Sequence, residues 1–207
     1  MSQANRYAFY FDSSFCSGCK ACQVACKDKN NLEVGRLWRK VYEVTGGEWH
    51  QHGQIWIPDI FSYNVSLACN HCERPICLEV CPTGAIHKRE DGIVLIKDTR
   101  CIGCGYCKWV CPYNAPQFDP GTGKMTKCNS CYDYIDIGKL PVCVAACPMR
   151  ALEFGEYDKL AEKHTYIQGV YPLPENSLTN PSVLIKPHQD AGRACKQPAR
   201  ITNIEEL

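Results

Sequence analysis

Apolar and polar positions along this chain form short stretches rather than long periodic ones. Tyr7 to Phe11 and Ile93 to Ile96 are apolar runs that read as strands, and Ala85-Ile86-His87 faces the second run across Glu90-Asp91-Gly92, a predicted hairpin turn. Residues 36–67 read as strands around a turn at Gly46-Gly47 and carry Trp38, Tyr42, Trp49, Trp56 and Phe61. This aromatic face either packs on its own hairpin or docks to a partner, because aromatics are enriched at interfaces. From Tyr171 onward, Pro172, Pro174, Pro181, Pro187 and Pro198 exclude a helix. Within that tail Val183-Leu184-Ile185 predicts an extended arm lying on a partner. No run of roughly 18 apolar residues occurs, so no direct membrane span is expected.

What interrupts the pattern is cysteine. The chain has 17 in 207 residues, and all but Cys195 fall into four quartets, each closing with Cys-x3-Cys. These are Cys16, Cys19, Cys22, Cys26; Cys69, Cys72, Cys77, Cys81; Cys101, Cys104, Cys107, Cys111; and Cys128, Cys131, Cys143, Cys147. Each supplies the four thiolates that one 4Fe-4S cluster needs, and CIGCGYCKWVCP has the bacterial ferredoxin spacing with its proline. A disulfide framework fits poorly, because such scaffolds are short and secreted and this chain opens with no apolar signal segment. Zinc also binds thiolate quartets, but its sites usually pair two cysteines with two distant ones. CSGCKAC and CIGCGYC instead set three cysteines at three-residue steps. Cys195 reads as a free thiol and His71, between two quartet members, as a neighbour of the ligands rather than one of them.

The cysteines change the meaning of composition and charge. They are part of the 45% apolar fraction, so the conventional core is thin and metal binding must supply folding energy. The formal charge of +1 counts them as neutral; sixteen thiolates and four oxidised cores of about +2 each would bring the loaded chain to about −7. Arg6, Lys20, Lys27, Arg74, Lys88, Arg89, Arg100, Lys108, Lys124, Lys127, Lys139 and Arg150 lie near the motifs. Some of them are expected to stabilise the reduced clusters, and none stands out individually. No basic patch or motif points to nucleic acid.

Internal repeats organise the quartets. Asp12-Ser13-Ser14-Phe15-Cys16 echoes Asp98-Thr99-Arg100-Cys101, and Cys81-Pro82-Thr83-Gly84-Ala85-Ile86 echoes Cys147-Pro148-Met149-Arg150-Ala151-Leu152. The expected fold is α+β: two pseudo-symmetric bacterial 2x4Fe-4S ferredoxin-like units, one inserted in the other, with short β-hairpins and helices. Residues 69–118 form the inner unit and residues 1–34 plus 119–155 the split outer unit; 35–68 is a β-hairpin insertion and 156–207 a helix with an extended C-terminal arm. In such units the fourth cysteine of each run ligates the other cluster, being carried a helical turn away from the first three. The expected ligand sets are therefore Cys16, Cys19, Cys22 with Cys147; Cys69, Cys72, Cys77 with Cys111; Cys101, Cys104, Cys107 with Cys81; and Cys128, Cys131, Cys143 with Cys26. Pro82, Pro112 and Pro148 follow three of the fourth cysteines and turn the chain there, whereas Lys27 follows Cys26. The longer gaps Cys72 to Cys77 and Cys131 to Cys143 read as insertions that preserve the ligands.

FYFDSSFCSGCKACQVACKD, SLACNHCERPICLEVCPTGAIHKREDGIV, CIGCGYCKWVCPYNAPQFD, GKMTKCNSCYD and the tail VYPLPENSLTNPSVLIKP carry a resemblance over nearly the whole chain. It resembles the four-cluster iron-sulfur B subunits of the dimethyl sulfoxide reductase family of molybdopterin oxidoreductases. In some relatives a tryptophan replaces the second cysteine of the third quartet and the cluster becomes 3Fe-4S; here that position is Cys104, so the resemblance implies four 4Fe-4S clusters. It further implies a non-catalytic electron-transfer subunit between a molybdopterin-containing catalytic subunit and an integral membrane quinol-oxidising anchor subunit of an anaerobic respiratory complex. By this analogy the Cys16, Cys19, Cys22, Cys147 cluster lies nearest the catalytic subunit and the Cys26, Cys128, Cys131, Cys143 cluster nearest the membrane. A soluble polyferredoxin-type carrier for a hydrogenase or formate dehydrogenase is the alternative, and a zinc-binding structural module a third reading. The chain shows no twin-arginine leader of its own. The resemblance then implies a peripheral position on the cytoplasmic membrane, on the periplasmic side if a signal-bearing partner exports it folded, with the cytoplasmic side left open.

Overall fold

The apolar run at the N-terminus becomes β1 (Tyr7–Asp12), buried along all but its first residue because it has neighbours on both edges and both faces. In the computed structural model, which describes residues 6–167 and 169–207, β1 pairs antiparallel with β10 (Leu152–Glu156) and parallel with β11 (Val183–Lys186). Its alternate side chains split between two layers. Ala8 and Tyr10 pack with Leu184 under α6 (Tyr157–Lys163), which presents Tyr157 and Leu160. Phe9 and Phe11 face a second sheet, meeting Val41, Val44, Phe61, Tyr63 and Val65.

That second sheet sets β2 (Lys40–Gly46) between β5 (Phe61–Leu67) and β12 (Ala199–Ile201), all antiparallel. Beyond it a smaller hairpin, β3 (Trp49–His52) with β4 (Ile55–Pro58), is exposed on both faces. Its turn is Gly53-Gln54, not the expected Gly46-Gly47. Gly47 serves a different purpose. With φ +87, a Cβ there would stand 1.8 Å from the Asp59 carbonyl oxygen, so only glycine lets the two connecting segments cross this closely. Trp49 and Trp56 therefore lie out in solvent rather than on the sheet below.

The other hairpins are β6 (Ile86–Lys88) with β7 (Val94–Ile96), joined across Glu90-Asp91-Gly92 as expected, and β8 (Gln117–Asp119) with β9 (Lys124–Thr126). The remaining helices are short: α1 (Ala21–Lys29), α2 (Ile76–Glu79), α3 (Tyr106–Val110), α4 (Tyr132–Ile135) and α5 (Val142–Ala145). Helix α1 packs on α5, and α2 on α3. The fold is α+β.

The tail corrects an expectation. It is extended, but β11 lies on β1 of its own chain and β12 on β2. Val183, Leu184 and Ile185 are almost fully buried there, and each contributes about 1.5–3 kcal/mol of burial. The reason is that β10 covers only one edge of β1, and a buried strand cannot leave the other edge's N–H and C=O groups unpaired.

Candidate functional site

All four quartets fold around one local device. The residue before the second cysteine has positive φ in each: Gly18 (70°), His71 (42°), Gly103 (70°) and Ser130 (57°). The third cysteine is then the second residue of a helix, Cys22 in α1, Cys77 in α2, Cys107 in α3 and Cys143 in α5. A left-handed residue curls successive backbone N–H groups inward, and a helix start adds further donors and partial positive charge beside the thiolates. The two stretched quartets reach the same geometry through proline. Pro75 stands immediately before α2 and Pro141 immediately before α5, where a fixed φ suits helix initiation. Between Cys131 and Cys143 the inserted residues form α4.

Cys111 and Cys26 illustrate what the proline after a fourth cysteine does. Cys111 caps α3 in extended conformation before Pro112, with ψ 113. Without such a proline α1 runs nine residues, through Cys26 to Lys29. Chain folding then gathers cysteines from different quartets. Cys16, Cys19, Cys22 and Cys147, the Cys16 set, line one cavity with Phe11, Val41, Ser66, Met149 and Leu152. Cys69, Cys72, Cys77 and Cys111, the Cys69 set, line another with Asn70, His71, Tyr113, Lys127 and Thr179.

Mutual electrostatics group the remaining cysteines. The Cys26 thiol is pushed up to about 12 by burial and then by Cys143 and Cys131, and buried Cys128 is raised by burial, Cys26 and Cys69. Cys26, Cys128, Cys131 and Cys143 are the Cys26 set. Cys107 is pushed up to about 11 by burial and then by Cys101, Cys104 and Cys81, which together form the Cys81 set. Cys81 moves the other way. Burial opposes its ionisation, but donation from the Ile86 and Ala85 N–H groups and the Thr83 hydroxyl outweighs it and lowers the pKa.

The sets lie in one continuous order. A shared core cluster contains Cys16, Cys22 and Cys147 together with Cys143; a second contains Cys69 and Cys111 with Cys128; a third contains Cys77 with Cys81, Cys101 and Cys107. The sequence is Cys16 set, Cys26 set, Cys69 set, Cys81 set. The Cys26 set therefore sits inside the array, not at the end expected to lie nearest the membrane. Repeats in the sequence say nothing about how the sets meet, and Cys128 packs beside Cys69 where the Cys26 and Cys69 sets come together. Each end of the array carries an exposed thiol, Cys19 at one and Cys104 at the other. Exposed Ile102, Tyr106 and Trp109 flank Cys104 in the chain, and Trp109 is 78% accessible.

The surroundings fit an iron-sulfur group. Beyond the four-thiol sets, several side chains bear buried donors with no hydrogen-bond partner, and among them Arg39 Nε and Nη2, Asn70 Nδ2 and His71 Nε2 lie beside the cysteines. His71 Nδ1 accepts from the Val94 N–H at 3.0 Å, and burial holds the ring well below its ordinary pKa. The neutral ring then carries its proton on Nε2, beside the Cys69 set. Such donors suit sulfur acceptors, which an inserted cluster would provide. Among the described residues no group of His, Cys, Asp and Glu could hold a single metal ion, so the match rests on the wider cysteine-lined cavities.

Of the basic residues near the motifs, Lys127 is buried, with Nζ on the carbonyls of Val94 and Cys128. Arg6, Lys88, Lys20 and Arg89 spend their charge on Glu73, Glu73, Glu43 and Asp136 respectively. Arg39 carries no signal in the sequence. It lies in the insertion between the first two quartets, in Arg36-Leu37-Trp38-Arg39-Lys40, where nothing separates it from a solvated basic run. Cys195 is exposed and belongs to no set. Among the described residues no helix is long and apolar enough to cross a membrane.

Comparison with known proteins adds independent information. Residues 60–157 match the family model described as a 4Fe-4S dicluster domain. The chain is 48% identical to the B subunit of the anaerobic dimethyl sulfoxide reductase of Escherichia coli (strain K12) over 202 residues, covering 98% of both chains. It is 39% identical to the thiosulfate reductase electron transfer subunit PhsB of Salmonella typhi, over 75% of this chain and 78% of that one. It is also 36% identical to the B subunit of the polysulfide reductase of Wolinella succinogenes, over 91% and 98% respectively.

Proposed function

Because the chain belongs to the family of dimethyl sulfoxide reductase iron-sulfur B subunits, we propose that it is a non-catalytic electron-transfer subunit holding four 4Fe-4S clusters between a molybdopterin catalytic subunit and a quinol-oxidising membrane anchor. The observation that carries this reading is the unbroken order of the four cysteine sets, with an exposed thiol at each end. Clusters held there supply one-electron transfer at potentials tuned by charge, hydrogen bonds to sulfur and solvent exposure.

The chain's own residues hold and insulate. Cys16, Cys19, Cys22 and Cys147 would bind one cluster; Cys26, Cys128, Cys131 and Cys143 the next; Cys69, Cys72, Cys77 and Cys111 the third; Cys81, Cys101, Cys104 and Cys107 the last. This pairing makes residues 69–118 one two-cluster unit and residues 1–34 with 119–155 the other. Phe9, Phe11, Val41 and Val65 keep water from the Cys16 and Cys26 sets, which favours short passage between neighbours over leakage to solvent. With the catalytic subunit at the Cys16 end, the Cys81 end would face the anchor, a reading supported by the exposed apolar side chains of Ile102, Tyr106 and Trp109. The complex then lies on the cytoplasmic membrane with this subunit peripheral to it.

Two measurements test the reading. Iron and acid-labile sulfide should come to about sixteen atoms each per chain, and the chain should copurify with a large molybdenum-containing subunit. Cys147→Ser should remove or convert the cluster built on Cys16, Cys19 and Cys22 while the Cys69 and Cys81 clusters keep their spectra. Persistence of the Cys16 cluster unchanged would overturn the pairing.

A further inference from the structure

Arg39 heads the fully buried side chains by size. One guanidinium nitrogen, Nη1, donates to Ser66 Oγ at 3.2 Å, and that hydroxyl lies 3.4 Å from Cys22 Sγ. The guanidinium stacks 4.7 Å above the Phe9 ring. Among the described residues it has no carboxylate partner, and Nε and Nη2 have no acceptor. A buried, uncompensated cation costs several kcal/mol, so the site makes sense only if something negative belongs beside it.

Arg39 stacks on a core cluster that holds cysteines of two sets, Cys22 and Cys143, buried together with Phe9. Burial opposes its charge, yet attraction to the Cys143, Cys22, Cys128 and Cys26 thiolates, in that order, holds its pKa above the ordinary guanidinium value. Cys22 is in the Cys16 set and the other three are in the Cys26 set. We propose that Arg39 is a positioning cation shared by the clusters of the Cys16 and Cys26 sets, donating from Nε and Nη2 to their sulfur and favouring the reduced state of both. The inference rests on the reading that these sets hold clusters. Arginine suits this role because its charge is permanent and its donors fork in fixed directions. Adding an electron to either cluster makes it more negative, and a cation between the two also lessens the repulsion the second electron meets. Lys127 cannot replace it, because its Nζ is committed to two backbone carbonyls.

Arg39→Gln and Arg39→Lys in the intact complex, followed by potentiometric titration monitored by EPR, test the proposal. With Gln the midpoints of both flanking clusters should fall, by about tenfold or more in oxidised-to-reduced ratio at fixed potential, about 59 mV for one electron. The Cys69 and Cys81 clusters should stay in place, and Lys should recover most of the shift. Unmoved potentials, or an equal shift of all four, would overturn it. Iron content and EPR of the unsubstituted complex are read separately, so a missing cluster fails the functional reading, whereas four clusters with no shift fail Arg39 alone. If Arg39→Gln does not assemble, pulsed EPR on unsubstituted complex labelled with 15N-arginine decides. Nitrogen coupling to both reduced clusters sustains the role, and its absence from both ends it.

Discussion

The Cys26 set and the Cys81 set use the same residue type and the same loop device in opposite settings. All four thiols of the first are buried, with relative exposures of 4–6%, while the second has an exposed Cys104 and half-buried Cys81 and Cys101. At the buried set, compensation comes from side-chain cations as well as backbone donors: Arg39 acts on Cys26 and Cys128, the Val142 N–H and then Lys29 act on Cys131, and the Ser130 N–H donates to Cys128 Sγ at 3.4 Å. At the rim it comes from the backbone, through the Ala85 N–H to Cys81 Sγ at 3.3 Å and the Met125 N–H to Cys101 Sγ at 3.4 Å. A thiolate-rich group thus draws on nearby charges as well as dipoles where water is excluded, and on dipoles and solvent where it is not.

The widest contrast should come from removing one ligand from each. Cys128→Ser should prevent folding or leave the chain insoluble, because the Cys26 set joins the outer and inner cysteine sets and its lost binding energy is comparable to a whole domain's stability, about 5–15 kcal/mol. Cys104→Ser should leave a folded chain that has lost about one to four of its roughly sixteen iron atoms. Iron analysis and thermal melts of both variants decide, and equal damage would erase the distinction.

A smaller effect probes the rim loop's backbone. Gly103 has φ +70, and a Cβ there would stand 2.2 Å from the Gly123 carbonyl oxygen. Gly103→Ala should cost about 2–4 kcal/mol. Gly105→Ala, also at positive φ but facing open space, should cost about 1 kcal/mol. A lower melting temperature for the first variant than for the second checks this.

The least effect concerns the end of β1 beside the Cys16 set. Asp12 at the end of β1 pairs with Lys186 of β11 at 2.9 Å and accepts from Ser14. Burial opposes its ionisation, but the Ser14 and Lys186 contacts prevail and hold the carboxyl below its usual value. A depressed pKa means this contribution is fully present above the unfolded value of about 3.9 and is lost as pH falls through the lower folded one. Because Lys186 is partly exposed, Asp12→Asn should cost only about 1 kcal/mol at neutral pH. It should also flatten the acid limb of the stability curve, measured by denaturant titration from pH 6 to below pH 4.

Local signals read correctly wherever a residue's neighbours in sequence decide its conformation. Tyr7 to Phe11 is a strand because it is uniformly apolar, and the β6–β7 hairpin turns where Glu90-Asp91-Gly92 permits it. The proline after Cys111, and its absence after Cys26, set where α3 and α1 stop. The reading failed where two glycine sites competed for a turn: Gly46-Gly47 looked like the tip, yet the tip is Gly53-Gln54 because Gly47 is needed at a close crossing. It also failed for the tail, since an apolar tripeptide among prolines carries no record of whose sheet edge it completes.

Cysteine spacing was enough to point to thiolate chemistry and to suggest which cysteines are companions, because both depend on positions within a few residues or on repeats of the same string. Three-dimensional packing had to settle the order of the sets, the interior place of the Cys26 set, the tail's return to β1 and the burial of Arg39. Those outcomes depend on which surfaces exclude water together, and charge acts through space, so an arginine in an unremarkable basic run becomes the cation between two cysteine sets only after β2 carries it there.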